Sequence, residues 1–271
     1  MTSTVLITGA STGIGRATAM HFQKQGWNVV ATMRTPETET ELTNLDNVLV
    51  TRLDVTDTAS IDAAVSEAIE TFGNIDALIN NAGYGAYGQL EAFSMERIER
   101  QFDTNVIGLL AVTKAVLPHM RANKAGVIVN ISSVGGKITY PFGALYHGTK
   151  FAVEGLSESL KYELNEIGVV VKIVEPGMIA TDFGGRSFDA AIDPSIDEYS
   201  RLVGKFFEGM ESFGQESSPA SLVADVIWTA VTDGTDTLRY TAGEDANAIV
   251  GLRAASTDEQ LEAAMKERFG L

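Results

Sequence analysis

The chain contains 271 residues, 45% of them hydrophobic, which is enough for one sizeable α/β core, so we expect a single domain spanning residues 1–271. Its formal net charge of −16 argues against a general affinity for nucleic acid or for anionic membranes, because both bind basic surfaces. Cysteine is absent and the three histidines are scattered along the chain, so we expect no disulfide and no metal site.

Short β-branched runs alternate along the chain with longer segments of helical periodicity. The strand candidates, in chain order, are TVLIT, WNVVAT, NVLVTRLD, DALIN, GVIVNIS, GVVVKIVE and TLRYT. Near-continuous apolar strands separated by helices indicate a parallel sheet that is covered on both faces and joined by right-handed crossovers. The predicted fold class is therefore α/β, a doubly wound parallel sheet in a Rossmann-type three-layer sandwich.

The first segment, MTSTVLITGASTGIG, has no basic stretch and only a short apolar run. Nowhere in the chain do 18 uninterrupted apolar residues occur, which is the length that a membrane-spanning helix requires. We therefore expect a cytoplasmic protein with no membrane partner.

A glycine-rich turn follows the first predicted strand and leads directly into a helix. In doubly wound sheets, ligands bind beyond the carboxyl ends of the strands, and a helix N-terminus there presents free N–H groups to a pyrophosphate. The GxGxxG fingerprint is not matched literally because the spacing is GxxxGxG, so the turn alone fits either a dinucleotide site or an ordinary turn. The residues that we assign to phosphate binding are Gly9, Ser11, Thr12, Gly13, Ile14 and Gly15.

Arg34 follows the end of the second predicted strand, in WNVVATMRTPE. Enzymes that use NAD commonly place Asp or Glu about 20 residues beyond the glycine turn, where the acid accepts a hydrogen bond from the adenosine ribose. A carboxylate repels the 2′-phosphate of NADP, whereas a guanidinium binds it with charge-assisted bonds. The sequence therefore predicts that NADP(H) is preferred over NAD(H). The alternatives are a solvated arginine and a role for the nearby but misplaced Glu37.

Three motifs occur in the order and with the separations typical of one family. They are Thr8-Gly9-xxx-Gly13-x-Gly15, Asn80-Asn81-Ala82-Gly83 and Tyr146-xxx-Lys150, and the likeness runs from about Thr4 to Thr181. The chain thus resembles the classical short-chain dehydrogenases/reductases. The run YPFGALYHGTKFAVEGLSESLKYEL looks most like the hydroxysteroid and retinol dehydrogenase branch of that family.

The resemblance implies a catalytic tetrad of Asn105, Ser133, Tyr146 and Lys150. Tyr146 and Lys150 lie four apart on one predicted helix face, and a nearby ammonium is expected to lower the pKa of a phenol so that it both gives and takes a proton. In the family, the lysine also binds the nicotinamide ribose, the serine donates to the substrate oxygen, and the asparagine holds a water. Taken alone, the same residues fit a solvated helix face, a turn after a strand and a backbone contact. His147 is expected to be a packing or pocket-wall residue.

Further cofactor contacts follow from the resemblance alone. Asp54 and Val55 are placed at the adenine, although Asp54 also suits the start of a helix. The remaining assignments are Asn81, Ala82 and Gly83 beside the adenosine ribose, and Pro176, Gly177, Ile179 and Thr181 beside the nicotinamide carboxamide. Family members usually associate, so the resemblance also implies a homodimer or homotetramer built on the helix of Tyr146 and the preceding long helix.

The alternation of strands and helices fails between Asp182 and about Pro219, which we interpret as a substrate-side insertion over residues 182–219. Its aromatic residues and one methionine, with further aromatic residues in nearby loops, suit a lid over an apolar substrate, although such spacings also fill helix cores. These residues are Phe183, Phe188, Tyr199, Phe206, Phe207, Met210 and Phe213, with Tyr84, Tyr87, Tyr140 and Phe142. Ser256 or Thr257 provides an N-cap for a C-terminal helix over residues 256–271.

The function expected from these features is hydride transfer between NADP(H) and a carbonyl or secondary alcohol, on an apolar ketone or aldehyde. A serine hydrolase is excluded because no GxSxG elbow occurs. A sugar-nucleotide epimerase or dehydratase shares the Tyr-Lys pair but usually carries a larger C-terminal domain. The alternative outside enzymology is a binding protein that senses NADP(H) without turnover, although such a protein has no need of an intact tetrad.

Overall fold

The computed structural model of the protein describes residues 2–182, 185, 187–214 and 217–270, with the side chains of residue 207 and residues 210–214 left aside. The seven predicted strands form one parallel sheet, so the predicted fold class is confirmed. Its strands are β1 (Thr4–Ile7), β2 (Asn28–Met33), β3 (Val48–Arg52), β4 (Ala77–Asn80), β6 (Gly126–Ile131), β7 (Val169–Pro176) and β11 (Arg239–Ala242). Their order across the sheet is β11-β7-β6-β4-β1-β2-β3.

Helices cover both faces of the sheet. They are α1 (Gly13–Lys24), α2 (Thr58–Phe72), α3 (Met95–Phe102), α4 (Gly108–Asn123), α5 (Ala144–Asn165), α6 (Ser200–Gly214), α7 (Ala220–Thr232), α8 (Glu244–Ala255) and α9 (Asp258–Phe269). Because successive side chains of a strand point to opposite faces, Val5 and Ile7 enter the core under α1 and α7. Leu6 enters the other core, which α2, α4 and α5 cover. This is the three-layer sandwich that the apolar strands predict.

The order of the strands indicates where a ligand crevice is expected. The first half of the sheet winds outward from β1 to β3 and the second half from β4 to β11, so β1 and β4 are neighbours at which the winding reverses. In open parallel sheets, ligands bind at such a switch point, beyond the carboxyl ends of the strands. The glycine turn after β1 and the Asn81–Gly83 segment after β4 therefore meet at one place.

Two short parallel strand pairs were not predicted from strand periodicity, and each joins a segment after Thr181 to an earlier one. They are β5 (Gly85–Gly88) with β9 (Phe188–Ala191), and β8 (Ile179–Ala180) with β10 (Ser218–Pro219). At the other end of the chain, Thr257 is the N-cap of α9 and forms a capping box with Gln260. In the part of the chain that the structure describes, no helix is both long and apolar enough to cross a membrane.

Candidate active site

A cavity of about 830 Å³ opens at the carboxyl edge of the sheet. It is lined by most of the residues assigned from the sequence. These are Gly9, Ser11, Thr12, Gly13, Ile14, Arg34, Asp54, Val55, Asn81, Ala82, Gly83, Ser133, Tyr146, Lys150, Pro176, Gly177, Ile179 and Thr181. Gly15 and Asn105 are not among the lining residues, and both lie behind the cavity wall.

Hydrogen bonds join the two loops at the switch point. The hydroxyl oxygen of Thr8 accepts from the backbone N–H groups of Asn81 and Ala82, each at 3.0 Å. The Asn81 amide donates in return to the carbonyl oxygens of Thr8 and Gly9. Gly9 has φ +67°, a conformation that L side chains rarely adopt, and a Cβ on Gly15 would lie 2.3 Å from the Gly9 oxygen. Only glycine at position 15 therefore lets α1 approach the turn this closely.

The N-terminus of α1 fits a pyrophosphate. No acidic residue lies in its first turn, and the side chain of its N-cap residue, Thr12, makes no capping hydrogen bond. The first backbone N–H groups of a helix have no partner inside the helix, and the helix dipole favours an anion at that end. Since Thr12, Gly13 and Ile14 line the cavity, these donors are available to a dinucleotide there.

Two arginines on the side assigned to the adenosine have different environments, and of the two only Arg34 is among the residues that line the cavity. Arg34 is exposed and makes no hydrogen bond or ion pair with any residue in the described ranges. Arg16, which sequence reasoning passed over, donates to Glu39 at 2.7 Å and to Glu41. The Arg16 hydrogen bond holds the pKa of Glu39 at about 2, so this acid is ionised and its charge is matched. The guanidinium of Arg34 is thus left available to an anionic ligand.

The other adenosine-side residue, Asp54, closes a turn. Its carboxylate accepts from the backbone N–H of Thr56 at 3.0 Å and from the Thr56 hydroxyl at 2.8 Å. The N-cap of α2 is Asp57, which accepts from the backbone N–H of Ser60. The cap anticipated in this region therefore belongs to Asp57, and Asp54 holds the turn that borders the cavity.

The phenol of Tyr146 is buried, with 8% of the residue exposed. Burial raises the pKa of Tyr146 to about 12, against a smaller lowering by the hydrogen bond with the Ser133 hydroxyl. The Ser133 oxygen also accepts from the backbone N–H of Gly135 at 3.0 Å. The expectation that the pKa of this phenol is lowered is therefore wrong for this structure, because burial raises it by more than the hydrogen bond with Ser133 lowers it.

Lys150 is buried beside the ring of Tyr146. Its Nζ donates to the backbone oxygen of Ile131 at 2.9 Å and lies 5.7 Å from the centre of the Tyr146 ring. Burial lowers the pKa of Lys150 to about 8, and the charge of Glu154 one helix turn away opposes that lowering. Lys150 therefore carries its proton at neutral pH, but it is anchored to the sheet.

Asn105 lies in a π-helical turn, Asp103–Ile107, between α3 and α4. Its amide donates to the backbone oxygen of Tyr84 at 2.9 Å and to the Thr149 hydroxyl at 3.1 Å, and its oxygen accepts from the Tyr84 N–H at 3.1 Å. Single π turns are frequent at functional sites. Here the amide fixes the chain beside β5 and links it to α5, three residues past Tyr146.

His147 is buried beside Tyr146 and borders the cavity. Its Nδ1 lies 2.8 Å from the backbone oxygen of Gly135, and its Nε2 accepts from the backbone N–H of Tyr140 at 3.0 Å. Since the backbone N–H can only donate, Nδ1 carries the proton of a neutral ring. Burial also lowers the pKa of His147, in line with a wall residue rather than an acid.

An aromatic cluster lies at the end of the cavity opposite Arg34. Tyr87 stacks on Phe188 at 5.4 Å and packs against Tyr146 at 5.4 Å. Phe206 joins the cluster, and Phe269 of α9 stacks on it at 6.2 Å. Of the other aromatic-lid predictions, Phe183 and the side chains of Phe207, Met210 and Phe213 lie outside the described residues.

Sequence reasoning missed a polar group at the cavity mouth. Arg100 and Asp189 both line the cavity and form an ion pair at 2.7 Å, and Arg97 binds the same carboxylate. Arg100 also donates to the Tyr84 hydroxyl at 3.2 Å. These contacts hold β9 against α3. No local pattern signals them, because the partners are about 90 residues apart along the chain.

A family model described as short chain dehydrogenase matches residues 3–191. An uncharacterised oxidoreductase of Schizosaccharomyces pombe is 43% identical over 239 residues, which cover 88% of this chain and 100% of that protein. A 3-ketodihydrosphingosine reductase of Bacteroides thetaiotaomicron is 42% identical over 179 residues, or 66% of this chain and 65% of that one. Retinol dehydrogenase 8 of Bos taurus is 39% identical over 194 residues, or 68% and 61% of the two chains.

Solved structures with the same fold include a short-chain dehydrogenase from Streptomyces avermitilis, 31% identical, with a TM-score of 0.83 over 100% of this chain and 99% of that one. ElxO with bound NADP is 27% identical, with a TM-score of 0.76 over 92% and 100%. A short-chain dehydrogenase/reductase from Burkholderia phymatum in complex with NAD is 25% identical, with a TM-score of 0.78 over 97% and 95%. These neighbours therefore include complexes of both nicotinamide cofactors.

Proposed function

Since the chain belongs to the classical short-chain dehydrogenase/reductase family, we propose that it transfers a hydride between NADP(H) and an apolar ketone or aldehyde, or the corresponding alcohol. The protein is an oxidoreductase of that family, whose members bind nicotinamide cofactors and act on small molecules.

One observation carries the proposal. A single cavity joins the helix N-terminus and Arg34 at one end, Ser133, Tyr146 and Lys150 in the middle, and the aromatic cluster at the other end. A dinucleotide that spans the first two groups would end beside Tyr146, and the aromatic walls would then receive an apolar substrate. A sensing protein has no need of a buried acid between those two ligand positions.

The chain's own residues supply the acid. The high pKa of Tyr146 keeps its phenol protonated at neutral pH, so this side chain holds the proton that a carbonyl oxygen needs during reduction. The Ser133 hydroxyl bonds the phenol and is placed to donate to the same oxygen. NADPH, when bound, supplies the hydride to the carbonyl carbon. Lys150 contributes a buried positive charge that favours the phenolate left after proton transfer.

Arg34 supports NADP(H) as the cofactor. It lies at the end of β2, where an enzyme that uses NAD commonly carries an acid, and it has no ion-pair partner among the described residues. Arg16 lies nearby, but its charge is matched by Glu39 and Glu41. A 2′-phosphate would therefore bring the counter-charge that Arg34 lacks.

The apolar end of the cavity supports the substrate class. Tyr87 and Phe188 form a stacked wall beside Tyr146, with Met178 packed against the same cluster. One relative is named a 3-ketodihydrosphingosine reductase and another a retinol dehydrogenase, and both names describe substrates with long apolar portions. A ketone or aldehyde with an apolar tail fits this wall.

The test measures the loss of NADPH absorbance with ketones and aldehydes of increasing apolar size. We expect turnover with NADPH and a kcat/KM that rises with apolar area, by about tenfold for each 1.4 kcal/mol of added burial. NADPH binding without turnover on any carbonyl would favour the sensing protein. Conversion of a sugar nucleotide with no net consumption of NADPH would favour an epimerase or dehydratase.

A further inference from the structure

Two buried carboxyl groups lie behind the active site and take no part in the chemistry described above. Glu154 is on α5, one turn beyond Lys150, and Glu175 is near the end of β7. Only 5% of Glu154 and 1% of Glu175 are exposed. Charged side chains are almost never buried this deeply unless they are paired.

Among the described residues, Arg239 is the only guanidinium bonded to this pair, and its single positive charge cannot neutralise two carboxylates. Arg239 of β11 donates to Glu154 at 2.9 Å, lies 3.5 Å from Glu175 and also donates to the exposed Glu158 at 2.9 Å. One guanidinium therefore serves three carboxyl groups. The charged groups that face the pair from the surrounding elements are Lys150 and Glu158 of α5, Lys137 of the loop after β6, Arg239 of β11 and Arg253 of α8.

Each buried carboxyl group has an oxygen that accepts no hydrogen bond from a described residue, although Arg239 Nε lies 3.5 Å from that of Glu175. Oε1 of Glu154 and Oε1 of Glu175 are both buried and have no hydrogen-bond partner in the described part of the chain. The two carboxyl groups nevertheless meet at one atom, since Arg239 Nε lies 2.9 Å from Glu154 and 3.5 Å from Glu175. Two carboxylates that share one guanidinium nitrogen repel each other, whereas one proton between them supplies a donor and removes a charge. The geometry is that of an acid pair that holds a single proton.

The chemical environment agrees with this geometry. Burial raises the pKa of Glu175 to about 7, the charge of Glu154 raises it further, and Lys137 and Arg239 oppose the rise. The pair also borders a second cavity of about 760 Å³, which does not include Tyr146 among its lining residues and gives a route for proton exchange. Loss of a proton that the pair shares would change its charge from one negative charge to two.

The effect on the active site runs through Lys150. Glu154 lies four residues after Lys150, on the same face of α5, and its charge favours the ammonium against the lowering caused by burial. When the pair loses its proton, a second negative charge appears at the same place. The ammonium is then favoured more strongly just as the pH approaches the range in which Lys150 itself titrates.

We propose that Glu154 and Glu175 share one proton and that the charge this pair gains on losing it keeps Lys150 protonated to more alkaline pH. Both residues are then positioning residues, which act on the reaction through Lys150. The consequence for turnover rests on the proposed function, since Lys150 matters there as the group that tunes Tyr146. The shared proton and the titration of Lys150 do not depend on turnover.

The first experiment detects the shared proton by infrared spectroscopy of the protein without added cofactor. Between about pH 6 and about pH 8.5, on either side of the titration of the pair, we expect the carbonyl band of a protonated carboxylic acid to disappear. Glu175→Gln, which keeps the size of the side chain, should abolish the band, and Glu158→Gln should retain it. A wild-type protein without the band, or a band that persists in Glu175→Gln, would overturn the shared proton.

The second experiment follows the Nζ signal of Lys150 by nitrogen NMR as a function of pH, with the signal identified by its absence in Lys150→Met. Glu175→Gln should lower the pKa of Lys150 by about one pH unit, because it removes one nearby negative charge. Glu158→Gln is the matched control, since it removes an equal charge and an Arg239 contact, at 2.9 Å, from an exposed position on the helix, and it should leave the pKa of Lys150 nearly unchanged. Equal effects of the two variants, or none, would overturn the coupling.

A third measurement separates this proposal from the proposed function. If NADPH-dependent reduction is found, the alkaline limb of its kcat/KM profile should move to lower pH in Glu175→Gln and stay in place in Glu158→Gln. An unchanged limb in Glu175→Gln would overturn the role in the reaction. If no turnover is found, the proposed function fails, while the infrared and NMR results still decide whether the pair exists and acts on Lys150.

Discussion

Burial raises the pKa of Tyr146 and lowers that of Lys150, so it favours the neutral form of both side chains. The pKa of Tyr146 is about 12 and that of Lys150 about 8, so at neutral pH the phenol is protonated and the lysine is charged. An acid next to a fixed positive charge is the combination that reduction of a carbonyl requires. Single substitutions at Tyr146, Lys150 and Arg34 test the roles assigned to these side chains.

Tyr146→Phe removes one oxygen and keeps the aromatic ring in its cluster. We expect NADPH to bind about as well as to the wild type, because the ring still packs against Tyr87. Turnover should fall by about 10²-fold or more, the scale of general acid catalysis. Fluorescence titration with NADPH and steady-state kinetics measure the two effects, and near-normal turnover would remove Tyr146 from the mechanism.

Lys150→Met should reduce both cofactor affinity and turnover, since the ammonium is assigned to ribose binding and to Tyr146. It should also stabilise the fold. A lysine whose pKa falls from 10.5 to about 8 binds fewer protons in the folded state, so wild-type stability is reduced below pH 8 and recovers as the pH rises towards 10.5. At pH 7 the variant should gain about 1–3 kcal/mol in the free energy of unfolding, less the lost bond to Ile131.

Denaturant unfolding at two pH values checks that stability effect. The difference between Lys150→Met and the wild type should shrink as the pH rises above 8, because the wild-type lysine then loses its buried charge. A difference that does not change with pH would mean that packing, and not the charge, is responsible. Unchanged cofactor affinity in the variant would contradict the assignment of Lys150 to the ribose.

Arg34→Ala tests the cofactor preference. We expect the wild type to favour NADP(H) over NAD(H) by one to two orders of magnitude in kcat/KM, about the 1.5–3 kcal/mol of a hydrogen bond to a charged group. The variant should lose most of that preference and leave the NAD(H) kinetics nearly unchanged. Because Arg34 is exposed, added salt should also reduce the preference in the wild type. A preference that survives in the variant would show that the 2′-phosphate is recognised elsewhere.

At the scale of elements, two segments remote in sequence from the Tyr-Lys motif shape the site. The π turn at Asn105 connects α3 to α4 and holds the backbone of Tyr84, which precedes β5. The C-terminal helix α9 reaches the aromatic cluster with Phe269, which is 2% exposed. The surroundings of the site thus depend on one segment from the first half of the chain and on the C-terminal helix.

Phe269→Ala should destabilise the protein by about 3–5 kcal/mol, the usual cost of deleting a buried aromatic ring. The ring stacks on Phe206 and packs at 5.9 Å from Tyr140, and Gly209 gives it room to approach α6. Chemical denaturation measures the loss, with Leu252→Ala on α8 as an exposed control that should cost less than about 1 kcal/mol. A cost no larger than that of the control would show that α9 is not held by Phe269.

For the whole molecule, the exposed apolar surface points to association. Phe151 and Tyr162 of α5 are 46% and 73% exposed, and Ile107 of the π turn is 56% exposed. Phe151, Gly155, Glu158 and Tyr162 follow one stripe of the helix. Members of the family are commonly oligomeric, so a second copy is the partner that we expect on this face.

Light scattering at micromolar concentration should therefore give the mass of a dimer or a tetramer. A double variant, Phe151→Asp with Tyr162→Asp, should shift the mass towards the monomer, because it would bury two unpaired charges in the interface. Leu90→Asp is the matched control, since Leu90 is 60% exposed but lies outside α5. A monomeric wild type would overturn the expected assembly.

The sequence by itself determined the seven strands, the sheet class and the order of the motifs. Those features are local, because strand periodicity, the glycine spacing at Gly9–Gly15 and the four-residue step from Tyr146 to Lys150 involve only neighbouring residues. The position of Arg34 directly after the second strand is likewise a local feature of the sequence.

Only the tertiary structure decided which side chains share an environment and which carry a charge. Arg100 meets Asp189, and Glu154 meets Glu175, through the packing of separate elements, so no spacing in the chain reveals them. The pKa of Tyr146 lies above its usual range because the fold buries the phenol. Desolvation depends on everything that surrounds a group, and that is a property of the folded chain alone.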